Sequence, residues 1–156
     1  MAHLEIYLND HFAGATGGVE LARRLRGSNN HDPTFGPPLR RVCEEIEADR
    51  ATLEQVIERL GYSPSRIKPA GAWVMEKLGR LKLNGQLRGY SPLSRLIELE
   101  GLLIGITGKI GLWQVLAEME LGPGLGIDLE GLTARATEQR AAVDDLHRLA
   151  AAALER

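Results

Sequence analysis

The chain has 156 residues, a formal charge of −2 and one cysteine. That length supports one domain with its own core, and the composition excludes a disulfide framework, a multi-cysteine zinc site and a polycation built to coat nucleic acid. Apolar residues make up 44% and charged residues 26%, the balance of a globular chain rather than a disordered one.

The opening stretch MAHLEIYLNDHFAGATGG has no basic region followed by an apolar one, so the expected setting is cytoplasmic. Prolines at positions 33, 37, 38, 64, 69, 92 and 123 cut the chain into segments. The first predicted helix covers about 2–26, with Leu4, Leu8, His11, Ala15, Gly18, Ala22 and Leu25 at 3-4 spacing and Phe12 and Val19 beside them. The second covers about 38–60 and ends at Gly61, a good residue just past a helix end. Its stripe is Leu39, Val42, Ile46, Asp49, Leu53, Val56 and Leu60. Residues 61–90 form a crossover with a short helix at about 69–83. The third long helix, about 92–121, opens on Ser91-Pro92, a capping residue followed by proline in the first turn. It is apolar around most of its circumference, which predicts a largely buried helix. Glu98, Glu100 and Lys109 interrupt it and argue against a membrane span. GPGLG at 122–126 reads as a turn. The last helix, about 128–155, opens on Asp128 and carries Leu129, Leu132, Ala136, Gln139, Val143, Leu146, Ala150 and Ala153 on one side. No run alternates with period two, so the expected class is all-α.

Four rods of about 22 to 30 residues would each reach about 33 to 45 Å. Short loops join the first to the second and the third to the fourth. The connection between the second and third is long enough to travel the length of a bundle. The expected topology is therefore a single-domain, up-down-down-up four-helix bundle over 1–156, with one long crossover.

Local texture points the same way. NDHFAGATGGVELARRL resembles the first helix of the ferritin-like superfamily, and RRVCEEIEADRATLEQVIERLG resembles the second. With the layout, the resemblance extends over nearly the whole chain. It implies a ferritin-like bundle, in which two metal ions are held by a Glu from each of two helices and a Glu-x-x-His from each of the others. This chain departs from that set. Ala15 and Thr16 stand where the first helix would offer Glu. Asp49-Arg50-Ala51-Thr52 stands where the second would offer Glu-x-x-His. The third helix offers Glu98 or Glu100. The fourth has Asp144-Asp145-Leu146-His147, with Asp144 on the polar face, and no Glu-x-x-His occurs anywhere in the chain. The resemblance therefore carries the fold, not a di-iron oxidase or storage activity.

Each long helix places one polar residue on its apolar side: His11, Asp49, Glu100 and Gln139. An inward carboxylate needs a partner or a metal. One reading is a small-ligand or variant metal site using Asp49 and Glu100. The other is an internal hydrogen-bonded layer with no cofactor, in which Gln139 and His11 satisfy the acids. Glu100, Thr107 and Gln114 also recur every seven residues. Cys43 reads as a half-buried small residue rather than a nucleophile. Glu44, Glu45 and Glu47 read as a solvated face.

Gly101, Gly105, Gly108 and Gly111 lie within one helix, and Gly14, Gly17 and Gly18 within another. Each costs about 0.5–1 kcal/mol relative to alanine, so they imply close backbone approach: helix on helix, a second copy, or the crossover helix laid over a flat face. Residues 61–95 carry seven basic side chains against Glu76 alone. Lys77, Arg80 and Lys82 flank Trp73, Leu78 and Leu81 there, a pattern that fits either a docked crossover helix or a surface for an anionic lipid or acidic ligand. No nucleic-acid motif is present. The reading is a non-catalytic bundle that dimerises or binds a protein partner through its glycine faces. The alternatives are an altered metal or ligand site within the bundle and an anion-binding surface on the 66–88 segment.

Overall fold

A computed structural model describes residues 2–65 and 89–154. Those residues are all-α, with four long helices and one short one. Helix α1 is Ala2–Ser28, α2 is Gly36–Arg59, α3 is Pro92–Glu118, α4 is Leu121–Leu125 and α5 is Leu129–Ala151. The predicted crossover helix at 69–83, with Lys77, Arg80 and Lys82, lies outside the described residues.

Local chemistry sets the ends. Asp32 Oδ1 accepts from the backbone N–H groups of Thr34 and Phe35 and turns the chain into α2, whose first turn holds Pro37 and Pro38. The same two hydrogen bonds, with Arg95 nearby, hold the Asp32 carboxyl below its ordinary value. Ser91 caps α3 by accepting from Ser94 N–H, and Asp128 caps α5 by accepting from Gly131 N–H. Gly61 follows α2 at φ +79°, the left-handed geometry that glycine adopts freely. The stretch read as a turn at 122–126 instead winds into α4, because Gly126 at φ +61° closes a helical turn.

The long helices share two apolar clusters. One joins Ala22 and Leu25 of α1, Leu39 and Val42 of α2, Leu99 and Leu102 of α3, and Leu146 and Ala150 of α5. The other joins Leu8 and Phe12, Leu53 and Val56, Trp113 and Leu116, and Leu129 and Leu132. The late residues of α1 and α5 thus meet the early residues of α2 and α3. Helices α1 and α5 point one way and α2 and α3 the other. Helix α1 packs along α2 and α3, and α5 packs along α3 and α2.

Two asparagines, Asn9 on α1 and Asn29 just past its end, hold the ends of the α2–α3 connection. Asn9 Oδ1 accepts from Ser65 N–H at 2.6 Å. Asn29 Nδ2 donates to the Tyr90 hydroxyl at 3.0 Å. Twenty residues separate those anchors, about 30 Å along the line of α1.

The α5 stripe is buried from Leu129 through Ala150, Gln139 included. Helix α3 departs from expectation: it is not largely buried. Its buried residues are Glu98, Leu99, Leu102, Ile106, Leu112, Trp113 and Leu116, and Ile104 is 65% exposed. A helix flanked by two neighbours buries only one stripe, however apolar the rest of its surface.

Candidate functional site

The centre of the bundle holds charge. Asp49, on the buried stripe of α2, has a side chain 1% exposed. Lys109 on α3 continues the spacing of Leu102 and Ile106 and so points to the same level. Its ammonium donates to Asp49 Oδ2 at 2.5 Å and to Gln139 Oε1 at 2.5 Å. Gln139 Nε2 donates to Asp49 Oδ2 at 3.1 Å, and Arg135 donates to Asp49 Oδ1. Both carboxylate oxygens are therefore engaged. Burial pulls the Lys109 amine below its ordinary value, against the opposing pull of Asp49.

These residues do not fit a metal pair. The carboxylate at the position where the second helix would offer a ligand is already neutralised by two side-chain cations, and a cation beside an ammonium is repelled. Thr16, at the first-helix position, donates to the Phe12 carbonyl and accepts from Arg50 at 3.2 Å. Among the described residues, no group of three or more His, Cys, Asp or Glu side chains could hold a metal ion.

The predicted site residues come together only in part. Asp49 and Gln139 meet directly. Half-buried His11 packs edge-on against Tyr7, ring centroids 4.6 Å apart, and borders the same cleft as Asp49. Desolvation lowers its imidazole value despite Asp10. Glu100 does not face inward. It is 51% exposed and lies 3.1 Å from His147. The inward acid of α3 is Glu98, 1% exposed, held by Arg24 at 2.7 Å and by the Tyr90 hydroxyl at 3.0 Å. Residues i and i+2 on a helix lie about 200° apart, so only one of the two acids can share the stripe with Leu102. Thr107 and Gln114 are exposed like Glu100. Cys43 is fully buried rather than half-buried, and burial pushes its thiol up, away from nucleophilic use. Glu45 and Glu47 pair with Arg41 and Arg23.

Of the close approaches expected of the glycines, the crossover helix lies outside the described residues. Between α1, α2 and α3 lies a cleft of about 360 Å³. Gly14, Gly17 and Gly18 border it from α1, and Gly101, Gly105 and Gly108 from α3. Among the described residues, a Cβ added at Gly14, Gly18, Gly105 or Gly108 would meet nothing within 4 Å. At these four positions no described helix presses on the backbone, and each leaves open space beside the cleft. Leu21, Ile46, Leu53, Leu102 and Ile106 give it apolar walls, and Asp49, Lys109 and Trp113 also border it. Trp113 is 0% exposed, and its indole N–H has no acceptor among the described residues.

Sequence reasoning missed Lys109 and Arg135 as partners of Asp49, and Trp113 as a buried residue bordering the cleft. The available signal was spacing: Leu99, Leu102, Ile106, Lys109, Trp113 and Leu116 follow the same 3-4 rhythm. Among the described residues, no helix is long and apolar enough to cross a membrane. No family model, curated protein or solved structure matches this chain.

Proposed function

We propose that the chain is a non-catalytic bundle of ferritin-like layout that works as a binding module, with the cleft between α1 and α3 as its recognition surface. The observation that carries this reading is the cleft itself. Its volume falls in the range of about 300–1,000 Å³ common for small-molecule sites, and its walls are largely apolar with a few polar groups. The opposite helix directions and the long α2–α3 connection support the ferritin-like layout. The Asp49–Lys109–Arg135–Gln139 layer supports binding over metal chemistry, because both oxygens of Asp49 already accept from side-chain donors, two of them cations.

The test uses the uncharged dye N-phenyl-1-naphthylamine, which brightens in apolar surroundings. The wild-type protein should bind it with a stoichiometry near one per chain. Gly105→Leu and Gly18→Leu, which fill the groove, should abolish the signal while the far-ultraviolet circular dichroism stays helical. A wild-type protein that leaves the dye dark would end this reading.

A further inference from the structure

Helix α3 carries a second surface, turned away from the bundle. Between Gly101 and Ala117 the chain has a single charged residue, Lys109, and its ammonium turns inward to Asp49. The outward side of that stretch is therefore uncharged. Ile104 is 65% exposed and Val115 is 41% exposed. Between them, a Cβ added at Gly108 or Gly111 would meet nothing within 4 Å among the described residues. Positions 104, 108, 111 and 115 repeat at 4-3-4 spacing, so they share one side of the helix. Thr107 and Gln114 are exposed on its flank. Ile104 and Gly108 sit where this surface meets the cleft, whereas Thr107, Gly111 and Val115 stand outside the cleft lining.

Charge and shape together select what this surface fits. The outward faces of the other long helices are charged, with Arg40, Glu44 and Glu58 exposed on α2 and Glu130, Arg140 and Asp145 exposed on α5. Packing an uncharged face on any of these would strip water from ions without pairing them. The α3 face is matched by itself. Ile104 is a knob, and the bare backbone at Gly108 and Gly111 is a hollow one to two turns further on. In a two-fold contact residue i meets j while j meets i. An axis level with the peptide between Thr107 and Gly108 sets position 104 of one copy opposite position 111 of the other. Each knob then enters the other copy's hollow, and the two helix dipoles oppose. Glycine at the crossing lets the helix axes approach to the near end of the about 8–10 Å usual for helix pairs, or closer.

We propose that α3 pairs antiparallel with α3 of a second copy of this chain, each Ile104 seated against Gly108 and Gly111 of its mate. The exposed glycines then have a use, since a side chain at either would fill the hollow. This interface goes beyond the reading of the cleft and does not depend on it. One helix face is smaller than the about 800 Å² per partner of a standard interface, so the dimer is weak and reversible.

The experiment is sedimentation equilibrium on the full chain across protein concentration. The wild type should be monomeric at about 5 µM and largely dimeric at about 500 µM, the range that suits so small a contact. Ile104→Glu puts a charge into the contact and should raise the dissociation constant at least tenfold. Gly111→Leu should do the same by filling the hollow, and it carries the test if the glutamate variant does not fold. Cysteine cross-linking reads the direction of pairing, with Cys43 buried and out of reach. In the antiparallel pair, position 107 lies about 1.5 Å along the axis from its own mate and position 115 about 22 Å. Thr107→Cys should therefore oxidise to a disulfide-linked dimer and Val115→Cys should not. A wild type that stays monomeric at about 500 µM would overturn the proposal. A dimer that survives both Ile104→Glu and Gly111→Leu, or one that cross-links through Val115→Cys, would overturn it as well.

Discussion

Lys109 on α3 holds its ammonium 2.5 Å from the Oδ2 atom of Asp49 on α2, in the middle of the bundle. Gln139 of α5 completes the contact, so one buried layer ties three helices together. Its energetics are asymmetric. A buried ion pair gains little over a well-packed apolar pair, yet removing one member strands the other.

Asp49→Ala should therefore destabilise the protein by about 3–5 kcal/mol, read from urea denaturation at pH 7. The double variant Asp49→Leu with Lys109→Met should recover most of that loss, because Arg135, 36% exposed, can turn its charge to solvent. A cost below about 1 kcal/mol for Asp49→Ala would mean that the carboxylate is wet.

The two acids of α3 should behave oppositely. Glu98→Ala leaves Arg24 and the Tyr90 hydroxyl without their buried acceptor, so a loss of about 3 kcal/mol or more is expected. Glu100→Ala removes only an exposed contact to His147 and should cost about 0–1 kcal/mol. Thermal midpoints in the reverse order would put the helix in the wrong rotation.

That pair also shows where sequence stops being legible. Helices α2 and α5 alternate clearly between apolar and charged faces, so their buried stripes, Asp49 and Gln139 included, follow from spacing alone. Helix α3 is apolar on nearly every side, and its rotation is set by contacts with α1 and α5, which a one-dimensional pattern does not contain. Glu100 is therefore indistinguishable from Glu98 until the helix is packed. The glycines fail for another reason. A missing side chain signals either a neighbour pressed close or a space left empty, and only coordinates separate Gly36 from Gly105. Arg135 lies beside its buried stripe rather than on it, and only the length of its side chain brings it to Asp49.

Gly105→Ala and Gly36→Ala should move stability in opposite directions. A Cβ at Gly105 meets nothing within 4 Å among the described residues, and alanine gains about 0.5–1 kcal/mol over glycine in a helix. A Cβ at Gly36 would lie 3.0 Å from the Asn29 carbonyl oxygen and 3.2 Å from that of Asn30. That backbone cannot yield cheaply, so Gly36→Ala should lower the melting temperature while Gly105→Ala raises it.

His11 gives the protein a pH response. Burial holds its imidazole below the ordinary value, so the folded state favours the neutral ring. Its contribution is intact above about pH 6.5 and is lost as pH falls through the depressed folded value. Asp32 and Glu47, both held low, act only below about pH 4.5. The urea midpoint should therefore drop between pH 7 and pH 5, and His11→Leu should flatten that drop. An equally steep drop in the variant would assign it to other groups.

The most direct measurement is the metal content of protein purified without chelator, followed by calorimetric titration with iron(II), manganese(II) and zinc(II). If the side-chain cations Lys109 and Arg135 satisfy Asp49, no metal should accompany the chain in stoichiometric amount, and none should bind in a way that Asp49→Ala removes. One or more equivalents per chain, lost on Asp49→Ala, would show a metal centre where an internal ion pair is described here.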